Sequence, residues 1–105
     1  MKPTNLAYHL TTYLAKHLPG KAGTSQNTIC SYRDSFSLLL RFCSQEKALK
    51  VEKITLETLQ KQLVEEFMTW LEVGRGCSVS TRNQRLAAIH AFFRYVQMED
   101  PEHLL

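Results

Sequence analysis

Glycine and proline are scarce in this sequence, with 4 Gly and 3 Pro in 105 residues. So few turn formers exclude collagen-like and linker sequence and argue against a turn-rich all-β fold. Cysteine is scarce too. Cys30, Cys43 and Cys77 are odd in number, widely spaced and form no C-x-x-C, which indicates neither a zinc site nor a disulfide framework. Cys30 and Cys43 fall in helical patterns and read most simply as small buried apolar residues. His9, His17, His90 and His103 make no metal-ligand spacing such as H-E-x-x-H, so neither a metal nor a cofactor is expected. No apolar run approaches the roughly 20 residues that span a bilayer. Polar residues interrupt the N-terminal stretch, and it offers no small-residue cleavage site, so a secretory signal is not expected. The chain reads as a soluble, cytoplasmic protein.

What is present is ordinary globular composition, 44% hydrophobic and 22% charged, at a length that fits one domain. The net charge of +3 is small, and its distribution says more. Residues 1–45 carry a net +4 and residues 46–73 a net −2. Residues 74–98 carry +4 through Arg75, Arg82, Arg85 and Arg94 with no acid, and the last seven residues carry −3. Two basic segments therefore flank an acidic one. The second uses only arginine, whose planar fork of donors suits phosphate or guanine. A polyanion is one partner this pattern fits; a solvated helix face is the other reading.

Hydrophobic spacing predicts four helices and no strand, a compact all-α four-helix bundle. The first covers about residues 4–18, with Leu6, Leu10, Tyr13, Leu14 and His17 on one face and Pro19-Gly20 as its stop. The second covers about 26–46, with Ile29, Tyr32, Phe36, Leu39, Leu40 and Cys43 inward. A charged stretch links it to a third at about 58–73, carrying Leu63, Val64, Phe67, Met68, Trp70 and Leu71. Gly74 and Gly76 end that helix, and a fourth follows at about 79–98 with Leu86, Ile89, Phe92, Phe93 and Val96 inward.

The second and fourth helices echo one another. Ser25 and Thr28 correspond to Ser78 and Thr81, and Leu39-Leu40-Arg41-Phe42 corresponds to Phe92-Phe93-Arg94-Tyr95. Either two amphipathic helices agree by coincidence, or the molecule presents two similar helix N-termini suited to phosphates on two sides of a duplex. In the fourth helix the inward stripe, followed back towards the N-terminus at 100° per residue, runs into Arg85 and Arg82. A packed helix would place apolar side chains there, because an unpaired buried charge costs several kcal/mol. The helix is therefore expected to project past the core with an arginine ridge facing an anion. Pairing with Glu65, Glu66 or Glu72 is the alternative. If the ridge projects, replacing both arginines with alanine leaves the melting behaviour nearly unchanged.

The run Ser78-Val79-Ser80-Thr81-Arg82-Asn83-Gln84-Arg85-Leu86-Ala87-Ala88-Ile89-His90-Ala91-Phe92-Phe93-Arg94-Tyr95-Val96 resembles the N-terminal core-binding, SAM-like domain of tyrosine site-specific recombinases, the phage-integrase family. Glu66-Phe67-Met68-Thr69-Trp70-Leu71-Glu72 is similar to that domain's third helix, and Ser25-Gln26-Asn27-Thr28-Ile29-Cys30-Ser31-Tyr32-Arg33 to the opening of its second. The likeness covers about residues 4–100. It implies a four-helix bundle that closes over one face of duplex DNA, with the second and fourth helices in adjacent major grooves. The family's chemistry uses a tyrosine nucleophile, arginines, a lysine and a His-x-x-Arg motif, all in a separate catalytic domain. No His-x-x-Arg occurs here, and His90 and Arg94 are four apart. The chain is accordingly expected to be a non-enzymatic piece of a longer recombinase of bacterial, phage or mobile-element origin. Its partners would be double-stranded DNA, the catalytic domain and other recombinase protomers.

On this resemblance Arg82, Asn83 and Arg85 are the groove-facing candidates of the fourth helix, with Ser78, Ser80 and Thr81 on phosphates at its start. Thr28, Ser31, Tyr32 and Arg33 are their counterparts on the second helix, with Ser25 as cap or phosphate ligand and Lys21 as a further phosphate candidate. Asn83 would read adenine edges and the arginines guanine. Each hydroxyl has an equally simple role as a helix cap. Tyr8, Tyr13, Tyr32 and Tyr95 are expected in the core or at its rim. A competing reading is a helical protein-interaction module anchored by Trp70, Tyr95 or Phe42. An enzyme in its own right finds no paired carboxylates, nucleophile–base spacing or phosphate-cradling glycine loop.

Overall fold

Three of the four helices begin where a hydroxyl side chain can accept a first-turn amide proton. In the computed structural model of the protein, which describes residues 4–101, Thr4 accepts from the Ala7 N–H and opens α1. This helix is α-helical over Asn5–Thr12 and continues as a π-helix over Tyr13–Lys21. Ser25 accepts from the Thr28 N–H and opens α2, Gln26–Lys47. Ser78 does the same for Thr81 at the start of α4, Val79–Glu99. The third helix, α3, runs as Lys61–Thr69 and then as a π-helical turn, Trp70–Gly74. Among the described residues there is no strand. Lys2, Glu102 and His103 lie outside the described residues, as do Leu104 and Leu105.

The helix ends share one device. Gly23, Ala48 and Gly76 adopt positive φ. The residue after each sends its N–H six residues back: Thr24 to the Leu18 carbonyl, Leu49 to Cys43, and Cys77 to Leu71. A left-handed residue turns the chain sharply and lets the orphan carbonyls find donors. Pro19-Gly20 does not stop α1 as the sequence led one to expect; both lie inside its π-helical end. In an α-helix the proline ring would meet the carbonyl four residues back, and a wider i→i+5 turn relieves that clash.

The core lies where all four helices meet. Phe36, Leu39 and Cys43 of α2, Phe67 and Leu71 of α3, and Ile89, Phe92 and Val96 of α4 are buried, together with Leu6, Tyr13 and Leu18 of α1. Phe36 meets Phe92 edge-to-face at 5.2 Å, tying α2 to α4. Ile54 and Leu56, between the charged stretch and the predicted third helix, are also buried, as is Leu59, expected in the first turn of that helix, which begins only at Lys61. The connection from α2 to α3 folds back through two 3₁₀ turns, Val51–Lys53 and Leu56–Thr58, the second closed by reciprocal Thr55 and Thr58 bonds. Two burial expectations are corrected. Cys30 is exposed, because it falls on the outer side of the first turns of α2, whereas Cys43 is buried and its thiol is pushed up by desolvation. Tyr8 is also exposed.

Tyr13 packs against Phe92 and Tyr95 with ring centroids 5.4 and 4.9 Å away. Burial, aided by the neighbouring Tyr32 and against the pull of Arg94, lifts its phenol from 10 to about 12. Folding thus favours the protonated phenol. Its contribution is whole below pH 10 and disappears as pH rises towards 12. Alkaline titration followed by tyrosinate absorbance should find one phenol ionising near pH 12 alongside loss of stability over that interval. Separately, Ala48 occupies a backbone conformation that a side chain disfavours by about 1 kcal/mol. Ala48→Gly is expected to stabilise the fold by about that amount in urea unfolding, and Gly76→Ala to destabilise it similarly.

Candidate nucleic-acid interface

The α2 and α4 helices lie against each other along their first halves, and their matching caps are real. Ser25 Oγ donates to Thr28 Oγ1 at 3.0 Å, and Ser78 Oγ donates to Thr81 Oγ1 at 3.1 Å, in addition to the amide bonds each serine accepts. The hydroxyls of Ser25, Thr28, Ser78 and Thr81 are thus first of all helix caps, a role worth about 1 kcal/mol per helix. Ser25, Thr28, Ser78 and Ser80 are exposed, and Thr81 is half-buried.

Arg85 is the bridge between the two helices. Its Nη1 donates to the Ser31 carbonyl at 3.2 Å and to Ser35 Oγ at 3.1 Å, while its Nε is buried without a partner among the described residues. Ser35 is itself buried and donates to the Ser31 carbonyl at 3.0 Å. Arg82 turns the other way. It pairs with Glu72 in the last turn of α3 at 2.8 Å, and its Nε and Nη2 donate to Asn83 Oδ1 at 3.3 and 2.9 Å.

These contacts correct the projecting arginine ridge. The leading turns of α4 do not run clear of the bundle: α2 reaches Arg85 through Ser31 and Ser35, and the π-helical end of α3 delivers Glu72 to Arg82. A glutamate partner was the alternative, and it holds for Arg82 alone. Arg85 meets a backbone carbonyl and a hydroxyl. With these contacts, replacing both arginines is expected to lower stability rather than leave it unchanged.

The remaining candidates divide. Thr28, Ser31 and Tyr32 line one side of an open cleft of about 340 Å³, with Asn27, and Gln84 and Ala87 of α4 form the other side. Arg33 is exposed but follows Ser31 by two residues, about 200° round the helix and away from that cleft. Lys21 is exposed and lines a separate depression with Tyr95 and Glu99. Tyr95 is ten residues beyond Arg85, about 15 Å along the helix axis, so Lys21 is not brought to the α4 N-terminal turns. Asn83 is exposed, with its carbonyl oxygen engaged by Arg82.

Sequence reasoning missed Asn27, Gln84, Ala87 and Arg94. The signal was available: opposite the Ile89–Phe92 stripe, a helical wheel brings Asn83, Ala87, His90 and Arg94 to one outer face, all exposed. Among the described residues Arg94 has no carboxylate partner within ion-pair distance. Of the three protein-interaction anchors, Phe42 is buried, and Trp70 and Tyr95 are half-buried and packed on neighbouring rings. Phe42 is buried against Phe67 and Trp70, and Trp70 also stacks on Phe67 and carries Arg75 over its ring. Tyr95 packs on Tyr13 and His17. Among the described residues no group of three or more His, Cys, Asp or Glu side chains is placed to hold a metal.

Residues 10–102 match the phage integrase N-terminal SAM-like domain. The chain belongs to that family. The SAM-like domain resembles two proteins of Sinorhizobium fredii (strain NBRC 101917 / NGR234). It is 38% identical to "Putative integrase/recombinase y4rC" over 102 residues, covering 97% of this chain and 31% of that protein. It is 35% identical to "Putative integrase/recombinase y4rD" over 96 residues, covering 91% of this chain and 34% of that protein. The chain therefore spans about a third of the length of these relatives. No solved structure matches it.

The bridging geometry has a measurable consequence. Arg85→Ala removes the donor that joins α2 to α4 and is expected to cost about 1–3 kcal/mol in urea unfolding. Arg82→Ala breaks a pair whose members are 32% and 35% exposed and should cost at most about 1 kcal/mol.

Proposed function

We propose that this SAM-like domain binds duplex DNA through the paired faces of α2 and α4, as the DNA-gripping part of an integrase that carries out site-specific recombination or integration. The strand-cleaving chemistry is assigned to a separate catalytic domain of the longer protein, with recombinase protomers as further partners, in the cytoplasm. The reading is supported most by one observation. Two helices with matching Ser-x-x-Thr starts share an open cleft, beside a face of α4 that carries Arg94 and no acid before Glu99. First-turn amides that the serine caps leave over are available to phosphate oxygens. Thr28, Ser31 and Tyr32 from α2, with Ser80 and Asn83 from α4, supply further polar contacts on exposed or half-buried positions. Lys21 and Arg33 would meet DNA only at the margins of this surface. The family match and the two relatives agree with the integrase role.

Arg94→Ala should lower affinity for random-sequence duplex and reduce the salt dependence of binding by about one unit of log–log slope, without shifting the urea midpoint. A fluorescence-anisotropy titration across several salt concentrations measures both. Absence of any duplex binding at low salt would instead favour a protein-interaction role.

A further inference from the structure

We propose that the α2–α4 cleft is a reader of A·T base pairs, and that Gln84 and Asn27 carry the reading. This rests on the DNA-binding assignment above and adds to it which base pair is recognised and by which side chains. Bidentate recognition of adenine needs one planar group that accepts from N6 and donates to N7, which a carboxamide provides. Guanine recognition needs a guanidinium or ammonium with free donors. In the first turns of α2 and α4, the structure separates these groups by what they already touch.

The two arginines are occupied. Arg82 spends its donors on Glu72 and on Asn83 Oδ1, and Arg85 is drawn inward to Ser31 and Ser35. Arg82 has no free edge, and on Arg85 the unpartnered Nε is buried. Asn83 has lost its acceptor to Arg82, so it cannot offer adenine the acceptor–donor pair. Gln26 donates through Nε2 to Cys30 Sγ. Gln84 and Asn27 remain. Both are exposed, both line the cleft, and neither side chain has a hydrogen bond within the described residues.

The rest of the lining agrees with a base edge as the occupant. Thr28, Ser31, Tyr32 and Ala87 complete it, and no charged side chain faces in. With no cation in its lining, the cleft offers a phosphate only neutral hydrogen-bond donors. A base edge is well matched: hydroxyls add single hydrogen bonds, and the Ala87 methyl supplies the small apolar contact suited to a thymine methyl. The methyl-sized Ala87 also leaves room for the edge to approach the helix backbone.

The test is selection from a randomised duplex pool with the 105-residue chain, followed by competition titrations between duplexes that carry A·T or G·C at the enriched position. Wild type should enrich A·T. Gln84→Ala and Asn27→Ala should each lower the A·T over G·C preference by roughly five- to hundredfold at the position read, with the salt slope and urea midpoint unchanged. Gln84→Glu keeps the shape but leaves only acceptors, and should move the preference towards cytosine, whose N4 donates. Enrichment of guanine, binding without base preference, or an A·T preference that survives both alanine variants would overturn the proposal while leaving DNA binding intact. Failure of wild type to retain any pool member at low salt would overturn the DNA-binding assignment as well.

Discussion

The contact on which the rest of this surface depends is the bond from Arg85 to α2. Below it, Phe36 and Phe92 join α2 and α4 through an apolar contact. Above it, polar residues such as Thr28, Ser31 and Gln84 line the space between the two helices. Arg85 spans that transition by pairing its charge with a carbonyl and a hydroxyl rather than a carboxylate. Its head joins the bond that Ser35 already makes to the Ser31 carbonyl, so three polar groups share one junction at the edge of the core. The cleft between the helices lies beside this strut.

That arrangement divides the basic residues of α4 by task. Arg82 and Arg85 belong to the architecture, one tied to α3 and the other to α2, while Arg94 faces outward. Counting arginines along the helix gives a strongly basic element. The charge left open on this helix is smaller, and the cleft beside it is lined by uncharged polar groups. Electrostatics on such a surface would guide and strengthen the encounter, whereas the carboxamides would discriminate between sequences.

Much of the fold was legible from hydrophobic spacing. The predicted second and fourth helices, about 26–46 and 79–98, correspond to Gln26–Lys47 and Val79–Glu99. Serine followed three residues later by threonine marked both starts, because a cap requires an oxygen within reach of the third amide. The end of α1 was misread at Pro19, since a π-helical turn tolerates a proline that an α-helix rejects. The start of the third helix was placed at about 58 instead of Lys61, because Ile54, Leu56 and Leu59 are buried around a 3₁₀ turn and follow no α-helical period. Of the residues named from the sequence, Thr28, Ser31 and Tyr32 line the α2–α4 cleft; Gln84 and Asn27, which also line it, carry no charge or periodic signal that would single them out beside the arginines.

The residue order by itself determined the helices, their starts, the inward stripes and the family, because these depend on local capping and on a 3.6-residue period that the chain carries within each segment. Only the tertiary structure decided which polar groups remain open. A guanidinium on the wheel is free or spent according to what another helix brings within about 3 Å of it. Glu72 lies ten residues before Arg82, and Ser31 lies 54 before Arg85, and no periodicity within α4 encodes either distance.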